Sequence, residues 1–272
     1  MSTPRTAPQQ QSLTERRKAA TQLDIASAAA ELFAERGPEA TTAEDIALRA
    51  GIALRTFYRY FRNKEDAVSP LLSTGGARWR ELLAAQAAEL PGADIEEALV
   101  RAARTSLTPV GAAGVAAMDS VRGLLRAAAA DPALRAVWYR VNQESEEQLP
   151  PVLRSLSGLG GLTELELKMV SAGATDAIRL ALEEWAATDE PADGPKGPAA
   201  LAEQCLRRLL AWTAGARAEL GIEVALPERN GAQRQRALLE QGMTLEQVFA
   251  TTVQSTRDSY PEDVGRTAEV NR

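Results

Sequence analysis

The 272-residue chain contains no histidine and a single cysteine. Without imidazole there is no Ser-His-Asp or Cys-His nucleophile system and no His-ligated metal. One thiol builds neither a Cys-rich zinc site nor an internal disulfide. No Gly-rich phosphate loop or metal-ligand spacing is present either, so no catalytic residue, metal site or cofactor is expected. Aromatic residues are scarce, at 4%, while alanine is abundant and Arg outnumbers Lys by 27 to 4. That balance favours helix formers over strand formers and predicts an all-α fold. No apolar run is long enough to span a bilayer and no signal-peptide core stands near the start, so a cytoplasmic protein without a membrane partner is expected.

The net charge of −6 hides a division. Residues 1–64 carry 10 Lys+Arg against 7 Asp+Glu, whereas the remainder carries 21 against 30. A basic module joined to a larger acidic one fits that asymmetry. Residues 1–15 are rich in Pro, Gln, Ser and Thr and show no periodic apolar face; with Arg16, Arg17 and Lys18 they read as a flexible basic arm over 1–18. A helix opens at those cations, with Ile25, Ala28, Ala29, Leu32 and Phe33 on one face, and stops at Gly37-Pro38, where Gly favours the left-handed position after a helix. Thr42 and Asp45 have the spacing of a capping box for a second helix burying Ile46, Ala47 and Ala50. Gly51 supplies a positive φ, Ile52 plugs the core, and LRTFYRYF forms a third helix with Phe57 and Phe61 inward. Asn63, with Asp66 three residues on, caps a further helix immediately after the third.

The pattern of residues 19–64 is thus a helix-turn-helix. The stretch DIASAAAELFAERGPEATTAEDIALRAGIALRTFYRYFRNKEDAV closely resembles the DNA-binding domain of the TetR/AcrR family of transcriptional regulators. The shared features are the LF…G end of the first helix, TT…DIA, AGI at the turn, TFYRYF and NKED, all in one register. The resemblance implies a homodimer on a palindromic operator in double-stranded DNA, with recognition helices about 34–36 Å apart or a multiple of that. It also implies release by a small-molecule effector entering the C-terminal domain, as in a repressor. An activator, or a constitutive regulator with a filled pocket, remains an alternative, as does an enzyme or carrier whose helical domain does the work. The Arg bias and alanine content suit a bacterium of high G+C content.

Within the third helix, Leu54, Arg55, Thr56, Tyr58 and Tyr60 are left nearer the groove once Phe57 and Phe61 face inward. Arg55 is the expected reader of guanine, through a bidentate contact. Leu54 suits a thymine methyl, and Tyr60 a base or a phosphate. The family pattern assigns Thr56, Tyr58 and Lys64 mainly to phosphate, and places Thr42 and Glu44 near backbone and base edges. Ala53 departs from the family's usual Ser or Thr and leaves the recognition helix without a side-chain cap. The cations Arg5, Arg16, Arg17 and Lys18 offer compensating contacts to phosphate or an adjacent minor groove.

Beyond residue 64, Pro/Gly signals divide the chain into helices near 64–89, 94–107, 113–130, 132–156, 163–187 and 198–220. Residues 65–220 form the expected ligand-binding and dimerisation domain. Pro70 and the pair Gly75-Gly76 predict a bent or broken first helix there. Trp79, Met118, Trp138, Tyr139, Asn142, Met169, Asp176 and Trp185 are core or pocket candidates. Met118, Trp138, Asn142 and Asp176 are the candidates for effector contact, the two polar residues because they sit on largely apolar helices. By family analogy Leu180, Trp185, Leu206 and Leu210 are candidate dimer contacts, with packing inside the subunit as the alternative. Cys205 reads as a small buried hydrophobe, with redox sensing the alternative. Residues 221–272 are expected to form an extension with one or two helices and a polar tail.

Overall fold

In the computed structural model, which describes residues 12–89, 95–156 and 163–219, the chain is all-α, with no strand among the described residues. The expected helices and tail of 221–272, and Arg5 of the arm, lie outside the described residues.

Helix α1 (Leu13–Arg36) opens on a capping box in which Ser12 accepts from the Glu15 backbone and Glu15 accepts from that of Ser12. Residues 13–18 are therefore helical rather than part of a flexible arm. Two orphan backbone donors satisfied reciprocally give the helix a firm start three residues before the cations. Its buried face includes Ile25, Ala28, Ala29, Leu32 and Phe33, as the spacing predicts. The helix stops at Gly37, whose φ of 82° is positive but whose ψ of 161° is extended rather than left-handed helical. The following loop is held by the buried Thr41, whose hydroxyl donates to Gly37 O at 2.8 Å.

Helix α2 (Ala43–Arg49) is capped by Thr42 and Asp45 reciprocally, and α3 (Leu54–Tyr60) follows a turn at Gly51, φ 66°. Phe57 is fully buried and Phe61 nearly so. Burial of each large apolar side chain contributes about 1.5–3 kcal/mol. This packing compensates for Ala53, which caps α3 with no side-chain hydrogen bond. Asn63 Oδ1 then accepts from the Asp66 backbone at 2.7 Å, opening a 3-10 turn over Asp66–Val68.

Helix α4 (Ser69–Glu89) is continuous through Gly75 and Gly76, contrary to the expected break. Pro70 falls in the first turn, where its missing N–H has no helical partner to lose. Next come α5 (Ile95–Leu107), α6 (Gly111–Ala130) and α7 (Pro132–Glu147). The stretch 132–156 is two helices rather than one, because α8 (Leu149–Ser155) restarts at Pro150-Pro151. Two prolines inside a helix would delete two ladder bonds and clash with the preceding turn, whereas in a first turn they cost little. Helix α9 (Glu164–Ala186) carries its own Thr163/Glu166 capping box, and α10 (Pro198–Glu219) packs on α9 and α5. Helix α1 packs on α4 and α6, so residues of both expected domains share one core. No described helix is long and apolar enough to cross a membrane.

Candidate functional site

Two features stand out, one on α3 and one between the helices behind it. On α3, Arg55, Tyr58 and Arg59 are exposed. Arg55 and Arg59 are four residues apart and so share a face of the helix. Neither is in an ion pair among the described residues, and Arg59 lies over the Tyr60 ring, 5.1 Å from its centroid. Arg59 is absent from the contacts expected from the sequence, although its i, i+4 spacing from Arg55 is legible there. Thr56 is half-buried, and Leu54 and Tyr60 are partly buried against the core, so each offers an edge rather than a free side chain.

The other expected DNA contacts divide. Glu44 is exposed in the first turn of α2. The Thr42 hydroxyl is engaged with Asp45 Oδ2 at 2.7 Å, while Arg36 also reaches that carboxylate at 2.7 Å. Those hydrogen bonds from Thr42, and then Arg36, hold the Asp45 carboxyl down at about 2. Lys64 turns inward: its Nζ donates to Pro38 O at 2.7 Å and Thr41 O at 2.9 Å. Its ammonium therefore braces the loop before α2, a role set by carbonyls more than twenty residues away. Arg49 is likewise spent internally, clamping α2 to α1 through Glu31 at 3.1 Å and Glu35 at 2.9 Å. Arg17 and Lys18 are exposed near the start of α1.

Behind this module lies a cavity of about 780 Å³, lined from α4, α6, α7 and α9 and also by Ser27, Ala30 and Ala34 of α1. Met118, Trp138 and Asn142 line it, and so does Trp79. Asp176 does not; it is exposed and accepts from Asn142 Nδ2 at 3.1 Å and Arg179 Nε at 2.9 Å. Trp138 Nε1 donates to Glu183 Oε1 at 2.8 Å. Tyr139 and Met169 are exposed and outside the cavity lining.

Of the expected dimer contacts, Trp185 and Leu206 are fully buried within the subunit. Trp185 is covered by the Arg122 guanidinium, 4.1 Å from its ring centroid, and donates to Glu190 O. Neither is open to a partner, since the same apolar spacing serves an internal seam as readily as an external one. Leu180 is exposed, and Leu210 is partly buried. Burial pushes the Cys205 thiol pKa up, which suits a packed side chain better than a reactive thiolate. Among the described residues no group of three or more acidic or Cys side chains is placed to hold a metal.

The family model for bacterial regulatory proteins of the tetR family matches residues 25–68. An HTH-type transcriptional repressor of Mycobacterium tuberculosis is 33% identical over 178 residues, covering 58% of this chain and 87% of that protein. An HTH-type transcriptional regulator of Mycobacterium bovis matches with the same identity and coverage. Among solved structures, Thermus thermophilus FadR, a TetR-family transcriptional repressor in complex with lauroyl-CoA, is 26% identical over 70% of this chain and 93% of its own, with a TM-score of 0.45.

Proposed function

Because the chain belongs to the tetR family of bacterial regulatory proteins and is a DNA-binding transcriptional regulator, we propose that it is a homodimeric repressor that leaves a palindromic operator when a small molecule fills the cavity between its helices. The observation that carries this reading is the lining of that cavity, which draws on α1 as well as on α4, α6, α7 and α9. A ligand there touches the helix on which α2 is clamped, through Glu31 and Arg49. Occupancy can thus bias the position of the DNA-binding module, provided the ligand binds one arrangement better than the other.

In this reading residues 19–64 bind DNA and 65–220 bind the effector and the partner subunit. Arg55 reads a base edge, Arg59 and Tyr58 flank it at the phosphates, and Thr56, Leu54, Tyr60 and Glu44 shape the approach. Arg17 and Lys18 reach outlying phosphates. Thr42 and Lys64 act at one remove, by fixing the loop and the start of α2. The dimer uses the exposed side of α9, where Leu165, Met169 and Leu180 fall within about 60° of one another around a helix of 3.6 residues per turn, with Leu210 of α10 beside it.

Selection of duplexes from a random pool, followed by sizing of the complex, tests the reading. A palindromic site bound by two chains, and released by at least one compound that the cavity variant Val121→Trp no longer admits, is the expected result. A monomer on an asymmetric site, or release that ignores Val121→Trp, contradicts it.

A further inference from the structure

The cavity wall is apolar over most of its area but also carries charged side chains, most of them already paired. Glu31 pairs with Arg49, Glu144 with Arg140 and Arg78 with Glu81, while the exposed Asp119 has no ion pair among the described residues. Arg179 is answered by Asp176 at 2.9 Å and Glu183 at 3.0 Å. Burial pulls its pKa down, but those two hydrogen-bonded carboxylates outweigh it and leave it above the ordinary arginine value. Trp138 is bonded to Glu183, and Trp79 donates to Leu99 O.

Arg80 is different. It lines the same cavity, is partly buried, and pairs with no carboxylate among the described residues. Its partner is a neutral hydroxyl, Ser145 Oγ, at 2.6 Å from Nη1. Burial lowers its pKa, opposed only by the charge of Glu81. The helix approach is shaped around this pair: a Cβ on Gly76 would stand 2.8 Å from Ser145 Oγ and 3.4 Å from Arg80 Nη1. Thr175, 4% exposed and also on the cavity wall, has a hydroxyl oxygen with no hydrogen-bond partner.

We propose that the cavity takes an amphipathic organic anion, a hydrocarbon body ending in a carboxylate, with Arg80 as the partner of the charged end and the apolar wall around Val121, Trp138 and Ile178 holding the rest. This inference rests on the reading of the cavity as the effector site. A carboxylate supplies the charge-assisted, two-pronged acceptor that a guanidinium lacks here. A neutral ligand would take more water from Arg80 without answering its charge, and a cation would add repulsion. The volume of about 780 Å³ lies within the range of about 300–1,000 Å³ typical of small-molecule sites.

Calorimetric titration of the full chain with decanoate, decanol and decyltrimethylammonium tests the proposal. Decanoate is expected to bind at least tenfold more tightly than decanol, with the cation weakest. Arg80→Gln should abolish the advantage of decanoate over decanol, and Arg80→Lys should restore part of it. Equal binding of decanoate and decanol, or an advantage that survives Arg80→Gln, overturns the anion proposal while leaving the cavity as a ligand site. Binding of none of the three probes, or binding untouched by Val121→Trp, overturns the cavity reading and this proposal together. Should Arg80→Gln fail to fold, the decanoate-to-decanol ratio of the unaltered chain decides.

Discussion

Arg140 Nη2 lies 2.7 Å from Asp66 Oδ1, joining the middle of α7 to the turn that leaves the recognition helix. Asp66 is itself placed by Asn63, so the bridge fastens the larger helical part to the foot of the DNA-binding module. Exposed pairs of this kind contribute about 0.2–1 kcal/mol. A double-mutant cycle with Arg140→Ala and Asp66→Asn, read by thermal unfolding, should give a coupling energy in that range. Additive losses would show that the bridge carries no stability of its own.

Position 53 offers a gain. Its backbone is extended, φ −70° and ψ 144°, as a helix cap requires, but alanine has no oxygen to offer. Ala53→Ser should stabilise the protein by about 0.5–2 kcal/mol, raising the unfolding midpoint by a few degrees (~2–4 °C per kcal/mol for a chain of this size). A midpoint that does not rise would mean that Phe57 and Phe61 already hold the first turn of α3 fully.

The two neighbouring glycines of α4 should respond with opposite signs. A Cβ at Gly75 meets nothing within 4 Å, whereas one at Gly76 meets Ser145 Oγ at 2.8 Å. Gly75→Ala should therefore stabilise by about 0.5–1 kcal/mol, the ordinary helical difference. Gly76→Ala must displace Ser145 from Arg80 and should lower stability instead. Chemical denaturation of both variants checks this, and equal gains at the two positions would contradict the close approach of α4 to α7.

Asp45 gives the fold a specific acid sensitivity. Its carboxyl sits at about 2 in the folded chain because Thr42, and then Arg36, hydrogen-bond the charged form, whereas an unfolded aspartate titrates near ~3.9. A depressed folded pKa means a contribution that is full above about pH 4 and lost as pH falls toward 2. The difference in melting temperature between the wild type and Asp45→Asn should thus be largest at pH 5 and above and shrink toward pH 2. A difference that does not change with pH would place the role of Asp45 elsewhere.

Much of this architecture is legible in the residues. Ile25 to Phe33 and Phe57 with Phe61 announce their buried faces by spacing alone, and Thr42-Asp45 announces its cap. The same spelling at Ser12-Leu13-Thr14-Glu15 marks the start of α1, and the pair Pro150-Pro151 marks the break after α7, although the arm's polar composition and the long apolar pattern of 132–156 obscure both. Other features have no local signature. Lys64 is drawn inward by carbonyls of Pro38 and Thr41 that only the folded loop brings near. An apolar stripe does not say whether it packs within a subunit or between two, and so Trp185 and Leu206 belong to the internal seam. Arg80 is set apart because no carboxylate pairs with it among the described residues, which is a property of its surroundings in space.

The most direct test of the account is fluorescence anisotropy of the protein on its selected operator, with wild type, Arg55→Ala and Arg59→Gln compared at several salt concentrations. Binding should weaken linearly in log–log form with salt. Arg55→Ala should cost about 1–3 kcal/mol, or roughly five- to two-hundredfold, and relax preference at one base pair. Arg59→Gln should weaken all sequences alike and reduce the salt slope by about 1. Operator affinity and base preference unchanged by Arg55→Ala would contradict the assignment of α3 as the reading helix.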